Sequence, residues 1–207
     1  MNRPAAQRLG LDALLSCLPV ESAAEVLYDG ATEKCTDLTC DSGEAGPGSL
    51  FVAVRGAAAD GHHFIPQAVA QGSRWLLVED DPGFLPDVFP DVTVIRVRNT
   101  AEALGWLAAA FYDAPAQSLT LIGLTGTNGK TTVSWMIEQM LITAGYQVGV
   151  IGTVNYRYRD SSGKRVVEPA PLTTPGQIHL QRLLRQMADQ GVTHVIMETS
   201  SNALQQG

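Results

Sequence analysis

Eight consecutive residues, Thr125-Gly126-Thr127-Asn128-Gly129-Lys130-Thr131-Thr132, combine the side chains and the backbone freedom needed to hold a phosphate. Gly126 and Gly129 let the chain curl until successive N–H groups point inward at an anion. Lys130 adds a whole positive charge, and a helix starting here adds the partial positive charge of its N-terminus. Thr131 presents a hydroxyl where the Mg²⁺ that accompanies a nucleoside triphosphate is ligated. The general pattern G-x-x-x-x-G-K-[ST] requires glycine at position 124, where this chain has Leu124 between Gly123 and Gly126. The competing interpretation is a glycine-rich turn with a solvated lysine. Only Lys34, Lys130 and Lys164 exist in the chain, and one of them falls in this loop. A nucleotide site is the expectation.

Such a loop must join a strand to a helix. Upstream, Leu119-Thr120-Leu121-Ile122-Gly123-Leu124 reads as a buried strand. Downstream, Val133, Met136, Ile137, Met140 and Leu141 fall at i, i+3, i+4, i+7 and i+8, an apolar stripe that predicts an amphipathic helix ending near Gly145. Val148 to Gly152 is the next strand, and Tyr156 to Glu168 a polar mobile loop or hairpin. Thr174-Pro175 predicts a helix start, a capping hydroxyl followed by proline, with Ile178, Leu183, Leu184 and Met187 on its buried side. His194-Val195-Ile196-Met197 is a strand with Glu198 at its C-terminal end. In open α/β sheets ligands bind beyond the carboxyl ends of the strands, so Glu198 is placed on the rim of the phosphate loop as a Mg²⁺ ligand alongside Thr131. A solvated loop acid is the alternative for Glu198, and a plain helix cap the alternative for Thr173 and Thr174.

Ahead of this lies a different pattern. Leu11, Leu14, Leu15 and Leu18 space a short amphipathic helix rather than a secretory leader, since Asp12 interrupts the apolar run. A polar, turn-prone region extends through Thr39, followed by a loop over Cys40 to Gly48 and strands at 50–54, 75–78 and 92–97. A helix carrying Phe64, Ile65, Ala68 and Val69 separates the first two strands. Asn99, with Glu102 three residues on, is a capping box opening a helix with Ala103, Leu104, Leu107, Ala108 and Phe111 on one face. The pattern breaks over Asp113 to Ser118. Residues 1–115 are therefore expected as a small α/β domain, and residues 116–207 as the start of a second, P-loop-type parallel-sheet domain.

The bulk numbers narrow the function. The 207 residues are 45% hydrophobic and 17% charged, enough to bury a core. Fourteen basic against 21 acidic residues give a net charge of −7, which argues against a nucleic-acid partner. Cys17, Cys35 and Cys40 have neither zinc nor redox spacing and read as reduced thiols. No run approaches the roughly 18 apolar residues of a membrane span, and a cytoplasmic compartment is expected. His62, His63, His179 and His194 lack further metal ligands at suitable spacing, and neither a Ser-His-Asp pattern nor a GxSxG elbow is present.

The set Gly126 to Thr132, Gly152-Thr153-Val154, Thr173-Thr174-Pro175 and Met197-Glu198-Thr199-Ser200-Ser201 resembles the Mur ligases of peptidoglycan synthesis. Within them, Asp41-Ser42, the run from Pro47 to Gly56, and Asp60-Gly61 resemble the uridine-nucleotide domain of the tripeptide synthetases. The resemblance implies an N-terminal UDP-binding domain, an incomplete ATPase domain and, beyond Gly207, an absent amino-acid-binding domain. It implies an ATP-dependent amide ligase, a monomer with ATP and Mg²⁺, that adds diaminopimelate or lysine to UDP-N-acetylmuramoyl-L-alanyl-D-glutamate through an acyl phosphate. Carried over by position, Gly126, Thr127, Asn128, Gly129, Lys130, Thr131 and Thr132 hold ATP, with Lys130 as the catalytic cation, and Thr131 and Glu198 hold Mg²⁺. Cys40, Ser42, Ala57, Ala58 and Ala59 grip the uridine diphosphate, and Leu172, Thr173, Thr174, Ser200 and Gln206 contact the sugar-peptide.

Two positions depart from the family's pattern. Gly43 stands where an arginine is usual, and Asn202 where a histidine is usual; asparagine hydrogen-bonds but cannot become cationic. The resemblance also implies that 207 residues alone do not form the amide product. A non-catalytic binder of nucleotide or UDP-muramoyl-peptide is one rival interpretation. A different Mur ligase or a folylpolyglutamate synthase is another, the latter disfavoured by residues 41–61.

Overall fold

The computed structural model describes residues 7–56, 59–83 and 88–200. The chain divides into two compact units, and the division falls between Asp113 and Ala114. Both of these residues have left-handed backbones, at φ 60° and 42°, a conformation that costs non-glycine residues on the order of 1 kcal/mol each. Pro115 follows directly and disfavours the right-handed helical region for Ala114, so the helix Thr100–Phe111 cannot run on.

The first unit is built on a five-stranded sheet in the order β1-β5-β4-β3-β2. Its strands are β1 (Glu25–Tyr28), β2 (Asp37–Thr39), β3 (Ser49–Val52), β4 (Trp75–Val78) and β5 (Thr93–Arg96). All pairings are parallel except β1 with β5. The central strands β3 and β4 are buried at every position, which fits parallel strands covered on both faces. Phe51, Leu76, Val78 and Val94 pack with Ile65, Ala68 and Val69 of the helix Ile65–Ala70. The helix Thr100–Phe111 starts on Asn99, whose side chain accepts from the N–H groups of Ala101 and Glu102. Glu79 satisfies a further first-turn donor, accepting from the N–H of Thr100 at 2.9 Å.

Two strands lie in the stretch expected to be turn-prone and polar. Both β1 and β2 sit at sheet edges and are four and three residues long. No position of β1 is fully buried, and β2 is three residues long with Leu38 and Thr39 both buried, so neither shows the alternation that signals a strand. His62, in the short helical turn Gly61–Phe64, is held at both ring nitrogens. Its Nδ1 lies 2.6 Å from Asp60 Oδ1, and its Nε2 accepts from the N–H of Glu79 at 2.9 Å, which places the proton on Nδ1.

The thiols follow this burial. Cys35 is fully buried, and burial pushes its thiol up to about 12. Cys40 is exposed, although burial of its sulfur also raises the thiol. A maleimide at pH 8 should label Cys40 in the native protein and reach Cys35 only after denaturation. Mass spectrometry showing both labelled at the same native rate would contradict this packing.

The second unit has a sheet in the order β6-β10-β7-β8-β9. Its strands are β6 (Thr120–Leu124), β7 (Val148–Ile151), β8 (Asn155–Arg159), β9 (Arg165–Pro169) and β10 (His194–Glu198). Strands β6, β10 and β7 are parallel, while β7-β8-β9 run antiparallel, so the sheet is mixed rather than wholly parallel. Residues 156–168 are the hairpin of β8 and β9. On β10, Val195 joins Leu183, Leu184 and Met187 of the helix Gln177–Asp189. Its neighbour Ile196 joins Val148 and Val150, against which Ile137 and Leu141 of the helix Lys130–Thr143 pack. Successive strand residues point to opposite faces, so the two helices cover opposite faces of β10.

Two expectations about this unit are corrected. Strand β6 is an edge with Leu121 42% exposed, not a buried strand. The helix Lys130–Thr143 is also rotated from its apolar stripe: Met136 and Met140 are 62% and 71% exposed, and Ser134 and Glu138 are buried. The inward line is Ser134, Ile137, Glu138 and Leu141, still at helical spacing. Polar partners inside set this rotation: Ser134 bonds Glu198, and Glu138 bonds Arg157. Hydrogen-bonded polar groups can occupy a buried face that unpaired ones could not.

Candidate functional site

Strand β6 delivers the chain to Thr125, and the helix takes it up at Lys130. Gly126 and Gly129 have φ of +142° and +83°, values that residues with a Cβ rarely adopt. Gly129 is the residue before the helix and supplies no side-chain cap. The first-turn N–H groups, which have no intrahelical acceptor, are thus left for a ligand. Lys130 Nζ folds back over the loop and donates to the carbonyl of Gly126 at 2.6 Å. The loop is therefore a backbone cradle with its cation held at the mouth.

Glu198 ends β10, whose neighbours are β6 and β7. Thr131 Oγ1 donates to its Oε2 at 3.0 Å, and Thr153 Oγ1 donates to the same oxygen at 2.8 Å. The backbone N–H of Thr153 approaches it at 3.4 Å, and Ser134 Oγ lies 3.1 Å from Oε1. The residue is only 2% exposed. Among the described residues no lysine, arginine or histidine pairs with this carboxylate, so its charge is met by three hydroxyls and the Thr153 N–H. A Cβ at Gly152 would lie 2.6 Å from Oε1, so the carboxylate rests directly on that glycine.

Thr173 and Thr174 belong to the same cluster. Thr173 Oγ1 is 3.3 Å from Thr153 Oγ1, and Thr174 Oγ1 donates to the carbonyl of Glu198 at 3.1 Å. Thr174 Oγ1 also accepts from the N–H of Ser200 at 3.1 Å. Thr174 is not a helix cap: the helix begins at Gln177, and its preceding residue is Gly176. Its hydroxyl instead ties residues 172–175 to the end of β10. Leu172 is 59% exposed, and its carbonyl accepts from Tyr156 OH at 2.6 Å.

Cys40 and Ser42 lie in the first unit, in the loop ahead of β3. Ser42 Oγ donates to Gln67 Oε1 at 3.1 Å, and Asp41 Oδ1 accepts from the N–H of Gly43 at 2.7 Å. Ala59 closes a turn, its carbonyl accepting from the N–H of Gly56 at 3.0 Å, inside a bridge between Arg55 and Asp60. Arg55 is tied to Asp60, Glu79 and Asp80. Ala57, Ala58, Asn202 and Gln206 lie outside the described residues.

Thr153 and Ser134 complete the Glu198 cluster without having been singled out as site residues. Thr153 carried a signal, since it follows the C-terminal end of β7 next to Gly152. Ser134 carried none, being one polar residue in a helix.

The donor set suits Mg²⁺. One carboxylate and the hydroxyls of Thr131 and Thr153 are hard oxygen donors, and Mg²⁺ binds through one or two carboxylates with phosphates and water completing its shell. Among the described residues no group of three His, Cys, Asp or Glu gathers as an all-protein cage. No helix among them is long and apolar enough to cross a membrane.

Comparison with known proteins agrees in both units. The family model described as the Mur ligase middle domain matches residues 124–207, and that described as the Mur ligase family, catalytic domain, matches residues 34–112. A UDP-N-acetylmuramoyl-L-alanyl-D-glutamate–2,6-diaminopimelate ligase of Geobacillus thermodenitrificans is 42% identical over 197 residues, 95% of this chain and 37% of the relative. The protein of the same name from Geobacter metallireducens is 41% identical over 169 residues, 82% of this chain and 31% of its own length. The chain thus spans about a third of the length of these curated relatives. Among solved structures, MurF from Acinetobacter baumannii superposes with a TM-score of 0.61 at 22% identity, covering 96% of this chain and 37% of that one. MurF from Thermotoga maritima in complex with ADP gives 0.51 at 22% identity, covering 80% and 32%. With one model in each unit and the fold shared, this chain belongs to the Mur ligase family.

Proposed function

We propose that this chain carries the UDP-substrate domain, residues 1–115, and the first part of the ATPase domain, residues 116–207, of a cytoplasmic, monomeric Mur-type amide ligase. The reaction is the ATP-dependent addition of 2,6-diaminopimelate to UDP-N-acetylmuramoyl-L-alanyl-D-glutamate, the two substrates for which the relatives are named. Phosphorylating the acceptor carboxylate gives an acyl phosphate, which the incoming amine opens with loss of phosphate. Mg²⁺, when bound, offsets charge on the transferred phosphoryl group.

The chain's own residues have distinct parts in this reading. The curled backbone of residues 126–129 and the N–H groups of the first helical turn orient the phosphates. Lys130 moves from the Gly126 carbonyl onto phosphate oxygens, where its charge is worth most as negative charge builds. Glu198 and Thr131 hold the metal, with Thr153 and Ser134 fixing the carboxylate. Thr173, Thr174, Leu172 and Ser200 extend from that cluster towards the sugar-peptide, while Cys40, Ser42 and the 57–59 turn serve the uridine diphosphate.

The observation that carries the proposal is the buried Glu198 carboxylate, unpaired with any described cation and hydrogen-bonded to Thr131 of the phosphate loop. Calorimetric titration of the chain with a non-hydrolysable ATP analogue and Mg²⁺ tests it. Lys130→Ala should weaken binding by about 1.5–3 kcal/mol, roughly 10- to 150-fold. Equal affinity in the variant removes Lys130 from the site, and no binding by the parent chain removes the nucleotide site itself.

A further inference from the structure

A cavity of about 280 Å³ opens between the hairpin of β8 and β9, the second half of the helix Lys130–Thr143, and the start of β7. It adjoins Gly145 to Val148, at the N-terminal end of β7, whereas the phosphate loop follows the C-terminal end of the parallel strand β6. The cavity is therefore on the opposite rim of the sheet from the nucleotide site.

Its charge runs against that of the chain, whose net value is −7. Arg157, Arg159 and Arg165 all line it, and Glu138 is the one acid among the lining residues. Glu138 is fully engaged by Arg157, through Nη2 at 2.6 Å and Nε at 3.1 Å. Arg159 and Arg165 are directly opposite each other in the antiparallel register. Like charges so placed repel and destabilise a hairpin. Among the described residues neither has a carboxylate partner; Arg159 donates only to the carbonyl of Gly163, at 3.0 Å. Two guanidinium charges thus stand together at the cavity without a neutralising partner among the described residues.

Aromatic walls flank these cations. Trp135 is held by the Arg157 guanidinium, 3.8 Å from the ring centroid, and keeps 38% of its surface exposed. Tyr146 is braced against the His194 ring at 4.2 Å and is 47% exposed. The volume lies just under the roughly 300–1,000 Å³ of small-molecule sites, which suits one ring and not a nucleotide.

We propose that this cavity is a second binding site, for a small planar ring bearing two or more carboxylate or phosphate groups. The anionic groups meet Arg159 and Arg165 through charge-assisted hydrogen bonds, and the ring lies against Trp135 and Tyr146. The site is independent of the phosphate loop.

Calorimetric titration with benzene-1,3,5-tricarboxylate tests this on the parent chain, on Lys130→Ala and on the double variant Arg159→Gln/Arg165→Gln. Both arginines are exposed, so their replacement leaves the fold intact. The parent and Lys130→Ala should bind alike, and the double variant at least tenfold more weakly while melting at the same or a higher temperature. No heat from the parent at millimolar ligand overturns the site. So does equal affinity in the double variant, and a loss in Lys130→Ala would reassign the binding to the phosphate loop.

Discussion

Alanine at position 138 is expected to destabilise the second unit by about 3–5 kcal/mol, the cost of leaving one member of a buried ion pair alone. The side chains of Arg157 and Glu138 are only 4% and 11% exposed. Glu138 accepts from Arg157 Nε at both oxygens and from Nη2, so the acid and the guanidinium meet as planar forks. Arginine cannot shed its proton to escape the problem. Without Glu138, the guanidinium retains Asn155 Oδ1 at 3.0 Å and the Trp135 ring, neither of which carries a neutralising charge. Urea unfolding followed by far-ultraviolet circular dichroism measures the loss. Replacing both partners at once, Glu138→Leu with Arg157→Met, should cost much less, because no charge is then stranded. A loss under about 1 kcal/mol in Glu138→Ala would mean the pair is solvated and the helix is not held in the rotation seen.

That rotation shows where sequence reading reaches its limit. Apolar spacing placed Met136 and Met140 inside, yet the buried face carries Ser134 and Glu138. A periodicity argument counts apolar residues and cannot see that a glutamate has an arginine waiting 19 positions later on a strand. The strand-to-helix turn at residues 125–130 was legible because its requirements are local: two glycines free to take positive φ between an apolar strand and a helix. Asn99 was legible for the same reason, its side chain reaching only to Ala101 and Glu102. Thr174 looked equally local, but its hydroxyl spans 24 positions to the Glu198 carbonyl, and the helix it was expected to cap starts at Gln177. The edge strands β1 and β2 were missed because β1 is nowhere fully buried and β2 buries two adjacent residues of three, so neither alternates. Glu198 could be placed on the rim from strand order, but its burial depends on Gly152, Thr153 and Ser134 converging from two other elements.

Gly152→Ala isolates that convergence. A methyl group there would sit 2.6 Å from Glu198 Oε1 and 2.8 Å from Cδ, closer than real Cβ contacts come, and 3.2 Å from Cγ, which is tight. Gly152 is not among the residues of positive φ, so alanine can adopt its backbone and the effect is purely steric. The carboxylate cannot simply swing aside, because Thr131, Thr153 and Ser134 hold its two oxygens. Either the strand end shifts or Glu198 leaves its hydroxyls. Such overpacking costs about 1–3 kcal/mol of stability. It should also abolish most of the gain that Mg²⁺ gives to binding of the ATP analogue, because the carboxylate proposed to hold the metal has moved. Titrations with Mg²⁺ and with EDTA in its place measure that gain, and Gly152→Ala should match Glu198→Ala in losing it. Lys130→Ala should differ from both, weakening the analogue even with EDTA, since the proposed role of its charge is to meet phosphate directly. A Gly152→Ala protein that keeps the parent's melting temperature and its Mg²⁺ dependence would show that Glu198 reaches the metal from some other position. A variant that loses stability but keeps the Mg²⁺ gain would make the packing of Gly152 structural alone.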